Sequence, residues 1–96
     1  MFKWNEEKNA ILKATRGYSF NEAIEVMAKE GVIDNIKHPN NTKYPNQFIY
    51  IIRLGGYIHY IPYVIDGDDI FLKNIIPSRK LNKLYKDKKW NTQKMS

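Results

Sequence analysis

The stretch QFIYIIRLGGYIHYIPYVI, residues 47–65, carries the strongest strand signal in the chain. Runs of β-branched and aromatic residues lie on both sides of Gly55-Gly56. A two-residue glycine connection is typical of a tight β-hairpin, because both positions tolerate positive φ. A loop of two residues also sets the register of the hairpin, so we expect Ile52 to face His59.

The two faces of this hairpin differ in composition. The first, the tyrosine face, comprises Phe48, Tyr50, Ile52, Leu54, Tyr57, His59, Ile61 and Tyr63. The second, the aliphatic face, comprises Gln47, Ile49, Ile51, Arg53, Ile58, Tyr60, Pro62 and Val64. We expect the aliphatic face to pack on the preceding helices, whereas the tyrosine face would stack nucleobases, cover an amphipathic surface or form a protein interface. Pro62 predicts an edge strand or a bulge at its position.

Two helices are predicted before the hairpin. The first begins after the N-cap Asn5 and ends at Gly17. Its apolar side is expected to comprise Ala10, Ile11 and Ala14. The second begins with the capping-box pair Ser19 and Glu22 and ends at Gly31. Further strands are predicted at 2–4, 32–36 and 70–76, the last after a turn at 66–69.

The positive charge of the chain is concentrated near its C-terminal end. Residues 78–94 contain seven Lys and Arg and one acid, so their net charge of +6 equals that of the whole chain. Ser78 is a plausible N-cap for a helix whose apolar stripe comprises Leu81, Leu84 and Tyr85. Helical phase predicts that Arg79, Lys83 and Lys86 lie on the opposite side. This basic helix is expected to bind a polyanion; the alternative is a solubilising tail.

Composition restricts the remaining possibilities. Ninety-six residues make one small domain, 1–96, in which we expect 88–96 to be a mobile basic tail. The absence of Cys excludes disulfides and thiolate metal sites and favours a cytoplasmic protein, and no apolar run is long enough to span a membrane. His38 and His59 lack metal-ligand spacing, and the acidic turn lacks a calcium-binding loop. We therefore expect no metal and no other cofactor.

Six side chains suit metal-independent cleavage of RNA: Arg53, Lys73, Arg79, Lys80, His59 and Tyr85. In this chemistry the ribose 2′-OH attacks the adjacent phosphorus, and a cation stabilises charge on the phosphoryl oxygens. We assign that role to Arg79, supported by Lys80 and Lys73. His59 or Tyr85 would transfer protons, and His59 has an ordinary pKa near neutrality. A nucleic-acid-binding module without catalysis and an interaction protein remain alternatives.

Three segments resemble the BrnT family of toxins. They are Phe-x-Trp-Asn-x-x-Lys at 2–8, Arg-Gly-Tyr-Ser-Phe-Asn-Glu-Ala at 16–23 and Ile-Ile-Pro-Ser-Arg-Lys at 75–80 with Tyr85 downstream. They follow the order of the family pattern from residue 2 to about residue 86. The chain departs from that pattern at Arg16, where the family has His, at Asn74, where it has Arg, and at Asn46-Gln47, where arginines are expected.

The resemblance implies a RelE-like fold, which is an α+β domain with two N-terminal helices packed on a twisted, mainly antiparallel sheet and a basic C-terminal helix. It also implies ribonuclease activity on mRNA, either free or on the ribosome. The partner implied is a small cognate antitoxin with a DNA-binding domain. Lys8, Arg79 and Lys80 fall on matching basic positions. The residues expected to bind RNA are Lys8, Arg53, Lys83 and Lys86.

Overall fold

The computed structural model describes residues 1–88, which form three helices and a six-stranded mixed sheet. The elements are β1 Phe2–Lys3, α1 Glu6–Arg16, α2 Phe20–Glu30, β2 Asp34–Lys37, β3 Gln47–Leu54, β4 Tyr57–Asp66, β5 Asp69–Leu72, β6 Ile76–Pro77 and α3 Arg79–Lys88. The α+β class is therefore as predicted. None of these helices has the length and apolar character needed to cross a membrane. Apart from Lys88, the predicted tail at 88–96 lies outside the described residues.

The sheet has the strand order β1-β5-β4-β3-β2, and β6 pairs with β4 beside β5. β1 is parallel to β5, and the other pairs are antiparallel. In the β3–β4 hairpin Ile52 pairs with His59, so the predicted register is confirmed. Gly55 and Gly56 have φ of 59° and 78°, as a two-residue turn of this kind requires.

Pro62 explains why the strand predicted at 70–76 is divided into β5 and β6. Along β4, the backbone groups of even-numbered residues point away from β3; the Ile58 carbonyl, for example, accepts from Ser78 N–H at 3.0 Å. The missing N–H of Pro62 therefore falls on the β5–β6 side. Its carbonyl accepts from Lys73 N–H at 2.8 Å, after which the neighbouring chain leaves the sheet and returns at Ile76. Strand β4 is therefore a central strand and not an edge strand. The gap between β5 and β6 lies opposite Pro62.

The prediction that the aliphatic face packs on α1 and α2 is wrong, because the tyrosine face does so. The main core combines Leu12, Phe20 and Ala23 from the helices with Ile52, Leu54, Ile61, Tyr63, Leu72 and Ile75. The aromatic rings of this face pack against one another. Tyr50 and Tyr63 stack with centroids 4.0 Å apart, and the Tyr63 hydroxyl donates to Asn35 Oδ1 at 2.6 Å. Burial, followed by the neighbouring Tyr63, raises the pKa of Tyr50 to about 12.

The predicted apolar side of α1 is also wrong. Ala10, Ile11 and Ala14 are exposed, Ile11 by 51%, whereas Leu12 is buried. Polar contacts on the side of Leu12 hold the helix in this rotation. Asn9 Oδ1 accepts from the first amide of α2 at 2.7 Å, and Arg16 donates to the Ile75 carbonyl at 3.2 Å. The helix thus presents the face that finds hydrogen-bond partners, and a single leucine supplies its buried apolar contact.

Helix α3 packs on the aliphatic face, so the sheet lies between two helical layers. Ser78 caps it as predicted, since its Oγ accepts from Leu81 N–H at 3.1 Å. The Tyr85 hydroxyl donates to Asp34 Oδ2 at 3.4 Å. Asp34 pairs with Ile51 in the sheet, and Ile51 and Ile58 are fully buried on this face. Leu84, which belongs to the predicted apolar stripe, is 48% exposed instead.

Asn82 completes the attachment of α3. β6 ends at Pro77, so it offers no strand partner to the N–H of the buried Ile58. Asn82 Oδ1 accepts that N–H at 3.0 Å. One side chain therefore replaces a missing backbone acceptor, and it joins the helix to the sheet at a defined point along α3.

We predict that Asn82→Ala lowers the free energy of unfolding by about 1–3 kcal/mol, because the Ile58 N–H becomes a buried donor without an acceptor. Lys83→Ala, one position along and exposed, is the matched control and should change stability by less than about 0.5 kcal/mol. Urea unfolding of both variants gives the comparison. Equal stabilities would show that the Asn82 contact contributes nothing.

Candidate functional site

Three cations of α3 form one exposed group. Arg79, Lys80 and Lys83 are all exposed and lie on the side of the helix turned away from the sheet. Half-buried Leu81, Asn82 and Tyr85 occupy the side that packs on the sheet. The side chain of Lys86, predicted to continue the group, lies outside the part of the chain that the structure describes. Three cations on one turn and a half of helix offer a surface for adjacent phosphates.

His59 lies on the other side of the sheet from these cations. It is 5% exposed and belongs to the tyrosine face, where its ring meets Tyr18 and Tyr57 edge-on with centroids 5.5 and 5.9 Å away. Its Nδ1 lies 2.9 Å from the Tyr57 carbonyl oxygen. A carbonyl only accepts, so Nδ1 carries the proton and Nε2 keeps the lone pair in the neutral ring.

The surroundings of His59 favour that neutral ring. Burial lowers the pKa of His59 from its ordinary 6.5; the hydrogen bond to Tyr57 opposes this, and the Arg16 guanidinium lowers the pKa again. Tyr18 covers the cluster and reaches the hairpin turn, where a Cβ on Gly55 would overlap the Tyr18 hydroxyl. Solvent and substrate are therefore largely kept from His59 in this conformation.

Lys8 and Lys73 line a shared groove of about 390 Å³ at the β5 side of the sheet, together with Asn5, Glu7, Ile11, Phe71 and Leu72. The Lys73 ammonium lies 5.2 Å from the centroid of the Phe71 ring, a cation–π distance. Lys8 lies in the first turn of α1, where its backbone N–H donates to the side chain of the N-cap Asn5 at 2.9 Å. The fold thus brings together two predicted cations that are 65 positions apart in sequence.

Tyr85 and Arg53 belong to the side of the sheet that α3 covers. Tyr85 is half-buried; burial raises its pKa above 10.0, and the Asp34 carboxylate raises it further. Arg53 is half-buried and pairs with Ile58 across the hairpin. Both side chains already make contacts within the fold.

The six residues predicted to form one catalytic cluster are thus distributed over both sides of the sheet. Arg79 and Lys80 lie together on α3, whereas His59 is buried beneath the turn between α1 and α2 and Lys73 faces the groove with Lys8. The two candidates for proton transfer, His59 and Tyr85, are on opposite faces and do not share a site. Strand alternation correctly predicted that His59 lies on the tyrosine face. The prediction that this face does not pack on α1 and α2 is wrong, and His59 is buried for that reason.

Sequence reasoning missed three residues that shape these surfaces, namely Arg16, Phe71 and Asn82. Asn82 lies one turn after the N-cap Ser78, on the side of the helix that packs on the sheet. A polar residue at such a position indicates a hydrogen bond to the sheet, and this was the available signal. Phe71 alternates with Leu72 in β5, so it had to face away from the main core. The contact of Arg16 with the Ile75 carbonyl has no signal in the sequence, because it depends on the interruption of the strand.

Comparisons of the chain with models of known protein families, with curated proteins and with solved structures gave no match. In the part of the chain that the structure describes, no three His, Cys, Asp or Glu side chains are grouped closely enough to hold a metal ion.

We predict that the free energy of unfolding falls as the pH falls from 7 towards 5. The unfolded chain protonates His59 near pH 6.5, whereas the folded protein keeps the ring neutral to lower pH, so the unfolded state binds more protons in this window. The slope from one such group is at most about 1.4 kcal/mol per pH unit.

His59→Asn keeps a side-chain N–H that can reach the Tyr57 carbonyl but cannot titrate. Urea unfolding between pH 5 and pH 8 should therefore give a smaller slope for the variant than for the wild type. An NMR titration of the wild-type ring should place its pKa below 6.5. Identical slopes for the two proteins would show that His59 does not titrate differently on folding.

Proposed function

We propose that the protein is the toxin of a type II toxin–antitoxin system, a cytoplasmic ribonuclease that cleaves mRNA without a metal. The observation that carries the proposal is the exposed cation group of α3, formed by Arg79, Lys80 and Lys83. It lies at the strand-to-helix junction, where Arg79 and Lys80 fall on basic positions of the BrnT pattern. The order of elements, with two helices before the hairpin and a basic helix after it, supports the RelE-like fold implied by that resemblance.

In the proposed reaction, α3 holds the phosphate at which the ribose 2′-OH attacks. The new P–O2′ bond forms as the P–O5′ bond breaks, which leaves a 2′,3′-cyclic phosphate, and solvent water takes the proton from the 2′-OH and returns one to the departing 5′-oxygen. Arg79 presents a planar set of N–H donors that suits two phosphoryl oxygens, and Lys80 adds a second charge one residue away. Lys83, one helical turn after Arg79, binds a neighbouring phosphate. Because Ser78 and Asn82 attach this turn to the sheet, the cations are held in place before RNA arrives.

The proposed antitoxin carries acidic residues that cover the same cations. Opposite charge increases the rate of association, and a covered Arg79 cannot bind phosphate, so one contact both attracts the antitoxin and blocks the site. A DNA-binding domain on the antitoxin would place the complex on DNA, as the resemblance implies.

A second candidate function is an RNA-binding module that does not cleave. It is favoured by the position of the proton-transfer candidates, since His59 is buried and the Tyr85 hydroxyl donates to Asp34. Such a module needs the positive surface of α3 but no group that moves a proton. The two candidates differ in whether bound RNA is cut.

We predict that expression of the wild type in a bacterium arrests growth and degrades mRNA, and that purified protein cuts RNA in the presence of EDTA. Arg79→Ala should lower the cleavage rate by about 100-fold or more, since it removes a donor to the charge that develops on the phosphate. Lys37→Ala, an exposed cation on β2, is the matched control and should keep full activity.

The outcomes separate the two candidates. If the wild type binds RNA but leaves it intact, with or without ribosomes, the non-catalytic module is correct. If Arg79→Ala and Lys37→Ala cut RNA equally well, α3 is not the reactive surface. If the wild type neither arrests growth nor binds RNA, both candidates are wrong.

A further inference from the structure

Phe71 and Lys73 form the wall between two grooves. The first is the groove shared with Lys8, and the second, also about 390 Å³, is lined in addition by Asn46, Val64, Ile65 and Asp66. The Phe71 ring is half-buried and does not belong to the main core. An aromatic ring therefore lines both grooves, and the Lys73 ammonium lies over it.

We propose that this wall is a second RNA-binding subsite, in which a nucleobase stacks on Phe71 while Lys73 and Lys8 bind the phosphates on either side of it. The inference rests on the proposed action on RNA and adds a contact outside α3. Single-stranded RNA is recognised by this combination, because an aromatic face stacks a base and flanking cations follow the backbone. In the free protein the Lys73 ammonium lies over the ring and is exposed, so it can move to a phosphate without disturbing the fold.

The chemistry of the grooves favours RNA over an acidic protein segment. Each groove also contains one carboxylate, Glu7 in the first and Asp66 in the second, and these repel phosphates and acidic side chains alike. The feature that favours RNA is the Phe71 ring, because a nucleobase stacks on an aromatic face and an acidic side chain does not. A base stacked on the wall places its phosphates beside the lysines and needs no acidic group in either groove.

The subsite is within reach of the α3 cations. Arg79 lies six positions after Lys73, so their Cα atoms are at most about 22 Å apart. β5 and β6 both pair with the same side of β4, which puts the subsite and the start of α3 along one side of that strand. One RNA strand of a few nucleotides can therefore contact both, and the stacked base would decide which phosphate lies at Arg79.

The test measures binding of a fluorescent single-stranded oligoribonucleotide by Phe71→Leu and Phe71→Tyr. Leucine keeps the apolar bulk without the aromatic ring, and we expect about tenfold weaker binding, in the range found when one stacked base loses its platform. Tyrosine keeps the ring and should restore wild-type affinity. Inorganic polyphosphate, which has no bases, should bind equally well to all three proteins.

The charge of the subsite is tested by the salt dependence of the same binding. Lys73→Ala should reduce the slope of log K against log salt by about 0.7, the value for one phosphate contact on a single strand. Lys37→Ala is the matched control. Lys37 lies on β2, at the opposite edge of the sheet, and its loss should leave the slope unchanged.

The results distinguish failure of the subsite from failure of the proposed function. If Phe71→Leu binds RNA as tightly as the wild type while Arg79→Ala binds weakly, the subsite is wrong and α3 remains the RNA surface. If Phe71→Leu loses RNA and polyphosphate equally, the ring does not stack a base. If the wild type binds no RNA, both the subsite and the proposed function are wrong.

Discussion

The register of the β3–β4 hairpin is the constraint on which the rest of the structure depends. Two glycines at positive φ allow a connection of only two residues, and every side chain of both strands is then assigned to one face or the other. A shift by one residue would exchange the buried Ile52 and Ile61 for Arg53 and Pro62. Both helical layers are built on this alternation, since α1 and α2 pack on one face and α3 packs on the other.

The attachment of α3 to the sheet exposes the cations on which the proposed function rests. The helix is held by the Ser78 cap, by Asn82 beneath it and by burial of Ile51 and Ile58. These contacts use one side of the helix and leave Arg79, Lys80 and Lys83 on the other side. The basic segment is thus a surface with fixed spacing, and fixed spacing is what binding of successive phosphates requires.

The separation of His59 from the α3 cations determines what chemistry can be assigned to the site. A buried imidazole with a lowered pKa is suited to packing beside Tyr18 and Tyr57, and a proton donor or acceptor for RNA must reach solvent. Phosphate binding by Arg79 and Lys80, as proposed, therefore does not depend on whether His59 transfers protons. The Phe71 wall adds a feature of a different kind, since it would contact a base and so confer selectivity on a surface that otherwise binds only charge.

Local features of this protein could be predicted from the sequence because each depends on neighbouring residues. The caps at Asn5, Ser19 and Ser78, the ends at Gly17 and Gly31 and the hairpin register are all of this kind. The cation group of α3 was also predictable, since helical phase alone separates Arg79 and Lys83 from Leu81 and Tyr85.

The tertiary structure decided which face of each element is buried. Composition suggested that the more aliphatic face of the hairpin would meet α1 and α2, but stacked rings and a satisfied Tyr63 hydroxyl make the tyrosine face the better core. Likewise, hydrogen bonds of Asn9 and Arg16 set the rotation of α1 against its apparent apolar stripe. The sequence determined the elements and their charges. Long-range packing decided which residues share a surface, because the partners of a buried face come from distant parts of the chain.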